Sequence, residues 1–173
     1  MTLKKLPLLL AITASFAAST AQAATTGTLT FRGQVNAGTC DLAAGDVNRT
    51  ITLPTVKVSD FASSDVVGVH QFELTADCES DIKTVSFLFA GTPSSGNGNL
   101  FANTGGAKGT ALQLSHRNVA YIPANGMPAQ RTRTINTSGA KAVLPMNAAY
   151  QKTGEAITAG NFASAVTVSI TYN

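Results

Sequence analysis

Both ends of the chain alternate apolar residues with small or polar ones, which is the period of a β-strand with one buried face. Near the carboxyl end the large side chains share one parity: Phe162, Val166, Val168, Ile170 and Tyr172. Terminal residues usually fray unless something holds them. We therefore expect this last strand to lie against a partner strand, in the same molecule or in another one.

The amino-terminal segment has the same one-sided pattern. Thr25, Gly27, Leu29 and Phe31 share one parity, and threonines followed by Arg32 occupy the other. Two such strands could pair within one molecule, or they could serve two molecules. The pattern by itself leaves both arrangements open.

Between the two ends the sequence predicts short strands separated by turns. The predicted strands are 27–35, 49–53, 69–76, 83–90, 111–117, 119–122, 131–136, 142–150 and 162–172. Loops rich in glycine, serine and asparagine divide them, as in 91–99 and 103–106. Because no helical period lasts beyond a turn or two, no helices are available to support parallel crossovers. The pattern favours an all-β fold, an antiparallel β-sandwich.

Residues 1–23 have the pattern of a cleavable secretory signal: a basic start, an apolar run and the small-residue sequence Ala21-Gln22-Ala23. The alternative, a membrane helix, is disfavoured because the apolar run is shorter than the ~20 residues of a span. Removal of these 23 residues leaves 150, enough for one domain with a core. It also lowers the basic count from 12 to 10 against 9 acidic residues. A net charge this small does not indicate a nucleic-acid partner.

Cys40 and Cys78 are the only cysteines, and both follow the predicted signal. In an exported chain, such a pair predicts one disulfide. A metal site built on two cysteines would need further ligands at short spacing, and His70 and His116 are not so placed.

The sequence offers little to catalysis. Ser115 and His116 are adjacent in a predicted strand, so their side chains point to opposite faces and do not form a nucleophile–base pair. Asp77, Glu79 and Asp81 follow one another closely enough to suggest calcium, but the ligand loop of an EF-hand is missing and a solvated loop is favoured. We expect no enzyme activity, no cofactor and no metal.

Four features together resemble pilins of the chaperone–usher class, close in pattern to the major shaft subunits of type 1 fimbriae. They are the segment 27–35 leading to Cys40, the strand 72–78 ending in the second cysteine, the segment 144–154, and the closing strand. In the last stretch of the chain, Gly160 is the fourteenth residue from the end and Tyr172 is next to last, as in that family.

The resemblance implies an incomplete immunoglobulin-like sandwich that lacks its seventh strand and is completed by a donor strand; chaperone–pilin pairing is an established case of strand addition. It divides the chain into a signal (1–23), a donor extension (24–35) and a pilin domain (36–173). The implied donor residues are Thr25, Gly27, Leu29 and Phe31. The implied acceptor and chaperone-docking residues are Gly160, Phe162, Val166, Val168, Ile170, Tyr172 and Asn173, the last through its terminal carboxylate.

From this resemblance we expect a non-enzymatic structural subunit of a surface fimbrium, polymerised by donor-strand exchange and exported through the periplasm. The expected partners are neighbouring pilin subunits, a periplasmic chaperone and an outer-membrane usher, with no nucleic acid. The alternatives are a minor or tip-proximal subunit with receptor binding, or a self-contained secreted carbohydrate-binding sandwich. A third, a small secreted hydrolase, lacks a workable set of catalytic residues.

Overall fold

The computed structural model describes residues 28–173, and eight β-strands in this range form two antiparallel sheets. The elements are β1 (Cys40–Leu42), a 3-10 helix (Val58–Ala62), β2 (Val66–Cys78), β3 (Thr84–Gly91), β4 (Thr110–His116), β5 (Ala120–Tyr121), α1 (Pro128–Arg131), β6 (Thr132–Asn136), β7 (Lys141–Lys152) and β8 (Val166–Tyr172). One sheet has the strand order β1-β2-β7-β4-β5, and the other has the order β6-β3-β8. The predicted all-β antiparallel sandwich is confirmed.

The inner faces of the two sheets supply one core. On the larger sheet β2 pairs with β7 so that Leu74 lies opposite Leu144, and both are buried. On the smaller sheet Phe87 and Phe89 of β3 are almost completely buried. Each large side chain removed from water contributes about 1.5–3 kcal/mol. Because these residues are buried, the period-2 alternation of their strands identified the core-facing side chains correctly.

Two predicted strands are wrong in the described residues. Residues 49–53 join no ladder, although Ile51 and Leu53 are half-buried against the core. Their alternation reflects burial of one face, whereas a strand also needs a hydrogen-bonded neighbour. The last strand begins at Val166 rather than at Phe162, because residues 161–163 bond to a loop instead.

The second predicted strand that the structure does not contain is 27–35. The chain divides into two units, Met1–Val35 and Asn36–Asn173. In the described part of the first unit, residues 28–35, no residue belongs to a strand. Leu29 and Phe31 are 82% and 89% exposed, as expected of an apolar alternation that has no partner strand. Residues 1–27, with the predicted signal and with Thr25 and Gly27, lie outside the described residues.

A disulfide joins Cys40 to Cys78, as predicted. The two cysteines are direct partners in the β1–β2 ladder, and Cys40 is buried. The bond closes a sequence separation of 38 residues. It ties the short edge strand β1 to the long central strand β2.

The acidic residues that follow Cys78 accept hydrogen bonds from the backbone just before β1. The Glu79 carboxylate accepts a hydrogen bond from the Thr39 N–H at 3.2 Å, and Asp81 accepts one from the Gly38 N–H at 2.8 Å. Throughout residues 28–173, no three metal-ligating side chains come together. The same range contains no helix long and apolar enough to cross a membrane.

Replacing both Cys40 and Cys78 by alanine should lower the free energy of unfolding by about 4 kcal/mol, because the unfolded chain gains the entropy of an open loop. Urea unfolding of the variant and the parent, in the same assembly state, measures the difference. A midpoint that does not move would show that the ladder of β1 with β2 holds without the bond.

Candidate functional site

A groove of about 1320 Å³ runs along the β8 side of the sandwich. One wall is the irregular segment 46–58, and the other is the segment 157–168 that leads into β8. Core side chains of several strands line its bottom: Phe72, Leu74, Phe89, Leu112, Leu114 and Tyr150. The groove therefore opens directly onto the hydrophobic interior.

The walls are apolar where they face the groove. Ile51 and Leu53 project from one side, and Phe162, Val166 and Val168 project from the other. All five pack against the core yet remain only half-buried. Monomeric proteins rarely leave a contiguous apolar surface of this kind uncovered, and such patches mark interaction sites.

Strand β8 also has an unpaired edge along this groove. Its ladder to β3 pairs Val166 with Gly91 at one end and Tyr172 with Val85 at the other. Among residues 28–173, no strand pairs with its second edge. An unpaired edge presents a row of N–H and C=O groups that can pair with another chain. The groove thus offers both an apolar surface and a hydrogen-bonding template.

Two aromatic rings meet where β7 faces the start of the last segment. The Tyr150 and Phe162 ring centroids are 4.8 Å apart with an interplanar angle of 82°, an edge-to-face contact. Burial raises the pKa of the Tyr150 phenol above its usual value. The phenol therefore stays neutral to a higher pH than a tyrosine in water.

Polar contacts at the rim hold the wall 46–58 against β2. The Asp46 carboxylate accepts a hydrogen bond from the Thr75 N–H at 2.7 Å. The same carboxylate pairs with Arg49 at 2.9 Å, and Arg49 donates to the Glu73 carbonyl at 2.8 Å. The wall is fixed by these contacts rather than by a strand ladder.

The opposite wall is held by a loop, residues 103–108, which we call the clamp loop. The Asn103 side-chain oxygen accepts from the N–H groups of Gly105 at 2.8 Å and Ala163 at 3.0 Å. The Ala107 N–H donates to the Asn161 carbonyl at 2.9 Å. These bonds replace a β-ladder over the residues that precede β8.

Gly160 and Gly105 allow the close approach of the clamp loop. A Cβ added to Gly160 would lie 2.4 Å from the Ala107 nitrogen, and one added to Gly105 would lie 2.2 Å from the Asn161 carbonyl oxygen. Real Cβ atoms essentially never approach backbone atoms so closely. Glycine is therefore required on both sides of this contact.

The predicted acceptor residues divide into two groups. Gly160, Phe162, Val166 and Val168 line the groove. The others lie beyond its lining: half-buried Ile170 opposite Phe87, Tyr172 with 40% exposure, and Asn173, which accepts backbone bonds from Lys83 and Thr84. Sequence reasoning missed the wall 46–58, for which the alternation of Ile51 and Leu53 was the only signal.

Comparison with known proteins gives one family and several relatives. A family model described as "Fimbrial protein" matches residues 29–173. The chain is 32% identical to the F17 fimbrial protein of Escherichia coli, over 98% of this chain and 99% of that protein. It is 33% identical to the type 1 fimbrin D-mannose specific adhesin of Escherichia coli, over 80% of this chain but only 41% of the adhesin.

The fold also matches a solved structure, that of a chaperone–usher pilus. The TM-score is 0.64 at 19% sequence identity, and the match covers 87% of this chain and 97% of that one. At this level of identity the likeness concerns the fold.

Gly160→Ala should lower the free energy of unfolding by about 1–3 kcal/mol, because the new methyl group forces the clamp loop away from the wall. Gly45→Ala is the matched control, since nothing lies within 4 Å of its added Cβ. Urea unfolding of the two variants measures the contrast. Equal effects of the two substitutions would contradict the role given to the close approach.

Proposed function

This chain belongs to the fimbrial protein family, and from that premise we propose that it polymerises by donor-strand exchange, as a link in the shaft of its fimbrium. It is a non-enzymatic subunit of a chaperone–usher pilus and is located in the surface fimbrium. The proposal concerns how it joins its neighbours and which residues form the joint.

The observation that carries the proposal is the unpaired edge of β8 beside an uncovered apolar groove. A strand added there would extend the sheet β6-β3-β8 and complete an immunoglobulin-like sandwich that otherwise lacks a strand. Its inward side chains would cover Phe162, Val166 and Val168. Strand addition of this kind takes affinity from main-chain hydrogen bonds and specificity from pockets for alternate side chains.

The donor in this proposal is the amino-terminal extension of a neighbouring subunit. Leu29 and Phe31 share one parity and are exposed, so they are available for burial in another molecule. Thr25 and Gly27 would continue the same face. Burial of large apolar side chains at about 1.5–3 kcal/mol each and ladder hydrogen bonds at about 1 kcal/mol each together give of order 10 kcal/mol before ordering costs. Such a joint would dissociate very slowly.

The same groove would receive a strand of a periplasmic chaperone before assembly, with an outer-membrane usher as the site of exchange. Ile170 and Tyr172 continue β8 beyond the groove lining, and Asn173 lies at its end. We place the chaperone contact along this continuation, with the terminal carboxylate of Asn173 as its ionic anchor. A minor or tip-proximal subunit would use the same groove, so the shaft assignment rests on the resemblance in sequence pattern.

Replacing Leu29 and Phe31 together by serine should abolish stable multimers, because the donor face loses its apolar anchors. Serine at Thr28 and Thr30, which have the opposite parity, is the matched control and should leave assembly unchanged. Electrophoresis of surface material without boiling detects the ladder of multimers. A normal ladder from the Leu29→Ser, Phe31→Ser variant would refute the donor assignment.

Deleting Tyr172 and Asn173 should abolish recovery of a complex with the chaperone, because the carboxylate moves two residues along β8. Asn173→Ala, which keeps the chain length and the position of the terminal carboxylate, is the control and should retain the complex. Co-purification from the periplasm measures the yield. A truncated chain recovered at the parental yield would exclude the terminal carboxylate as the anchor.

A further inference from the structure

A second cavity, of about 760 Å³, lies at the opposite edge of the sandwich from the groove. Its lining includes residues of β5 and β6, the outermost strands on that side. Leu100, Leu114 and Ile122 give it an apolar base, and all three are buried in the fold. A strand added beside β8 would leave this cavity open.

Side-chain amides supply most of the polar groups in this cavity. The Gln113 Nε2 donates to the Gln151 Oε1 at 2.5 Å, which leaves the Gln113 oxygen as an acceptor and the Gln151 nitrogen as a donor. The Asn97 oxygen accepts from the Asn99 N–H at 3.2 Å, so the Asn97 amide nitrogen is also available. Within residues 28–173, the Asn99 side chain makes no hydrogen bond. The lining thus offers both amide donors and an amide acceptor to a ligand.

An aromatic ring stands at the rim, and the cavity contains no acidic side chain. Tyr121 is 67% exposed, so one face of its ring is open to a ligand. Arg133 is the only charged residue in the lining. Its terminal nitrogens already donate to the carbonyls of Gln130 at 3.0 Å, Thr132 at 2.7 Å and Tyr121 at 2.6 Å. These three bonds make Arg133 part of the rim, and its Nε is buried without a hydrogen-bond partner within residues 28–173.

A ligand that fits these features is neutral, has several hydroxyl groups and has an apolar ring face. Paired amide donors and acceptors match neighbouring hydroxyls, and the C–H face of a sugar ring packs on an aromatic side chain. The cavity volume also falls in the range of small-molecule sites, ~300–1,000 Å³. We propose that this cavity binds a neutral saccharide. Apart from the buried Leu114, the site shares no lining residue with the acceptor groove, so the two proposals are tested separately.

Saturation-transfer NMR on assembled fibres tests the proposal, with D-mannose, D-galactose and N-acetyl-D-glucosamine as separate probes. At least one probe should receive saturation. Tyr121→Ala and Asn99→Ala should each weaken its binding about tenfold or more, the effect of losing ~1.4 kcal/mol. Gln71→Ala, an exposed amide of β2 in the same sheet but outside the cavity, should bind as the parent does.

Three results would overturn the proposal. They are no transfer to any of the three sugars, equal transfer in the parent and the two cavity variants, or shortened fibres in those variants without sugar binding by the parent. The last result would assign the surface to a contact between subunits. Circular dichroism of each variant confirms that the sheets are intact. If the chain forms no fibres, the same saturation-transfer experiment is performed on the complex of the chain with its chaperone.

Discussion

The structure depends on one unmet requirement: within residues 28–173, β8 is a sheet-edge strand whose inner face and outer edge are both without a partner. Val166 and Val168 pack on the core from one side only, and the groove next to them reaches the side chains that should be sealed inside. An edge strand is normally shortened, charged or covered. Among the described residues β8 is apolar on its inner face and uncovered, which is the basis for proposing strand addition there.

The rest of the domain keeps this groove open without filling it. The disulfide fixes β1 to β2, the Asp46 and Arg49 contacts hold one wall, and the Asn103 side chain holds the other. None of these contacts contributes an apolar side chain to the gap. A groove prepared in this way loses little entropy when a strand enters, because its walls are already ordered.

The sequence predicted the strands that carry the core, since alternation in segments such as 69–76 and 142–150 reports one buried face. It also predicted the disulfide. Alternation placed Phe162, Val166 and Val168 on one face, and these residues line the groove, while their role as acceptor residues stays a prediction. Strand prediction failed where burial and strand pairing do not coincide. Ile51 and Leu53 in residues 49–53 are half-buried but join no ladder, and residues 28–35 alternate without being buried. The sequence predicts only a loop at residues 103–106, because hydrogen bonds between residues 103–108 and 158–163 have no sequence period.

The separation of the two cavities follows from the strand order. The order β6-β3-β8 places the unpaired strand at one edge of its sheet and β6 at the other, next to β5. In the proposed donor-strand exchange the added strand would occupy the β8 edge, so residues at the β5 and β6 edge would take no part in that joint. Tyr121 and Asn99 would then stay available to a ligand in every subunit joined in this way. Weak saccharide binding repeated along a polymer would then act through multivalency, in which affinity rises without any new contact.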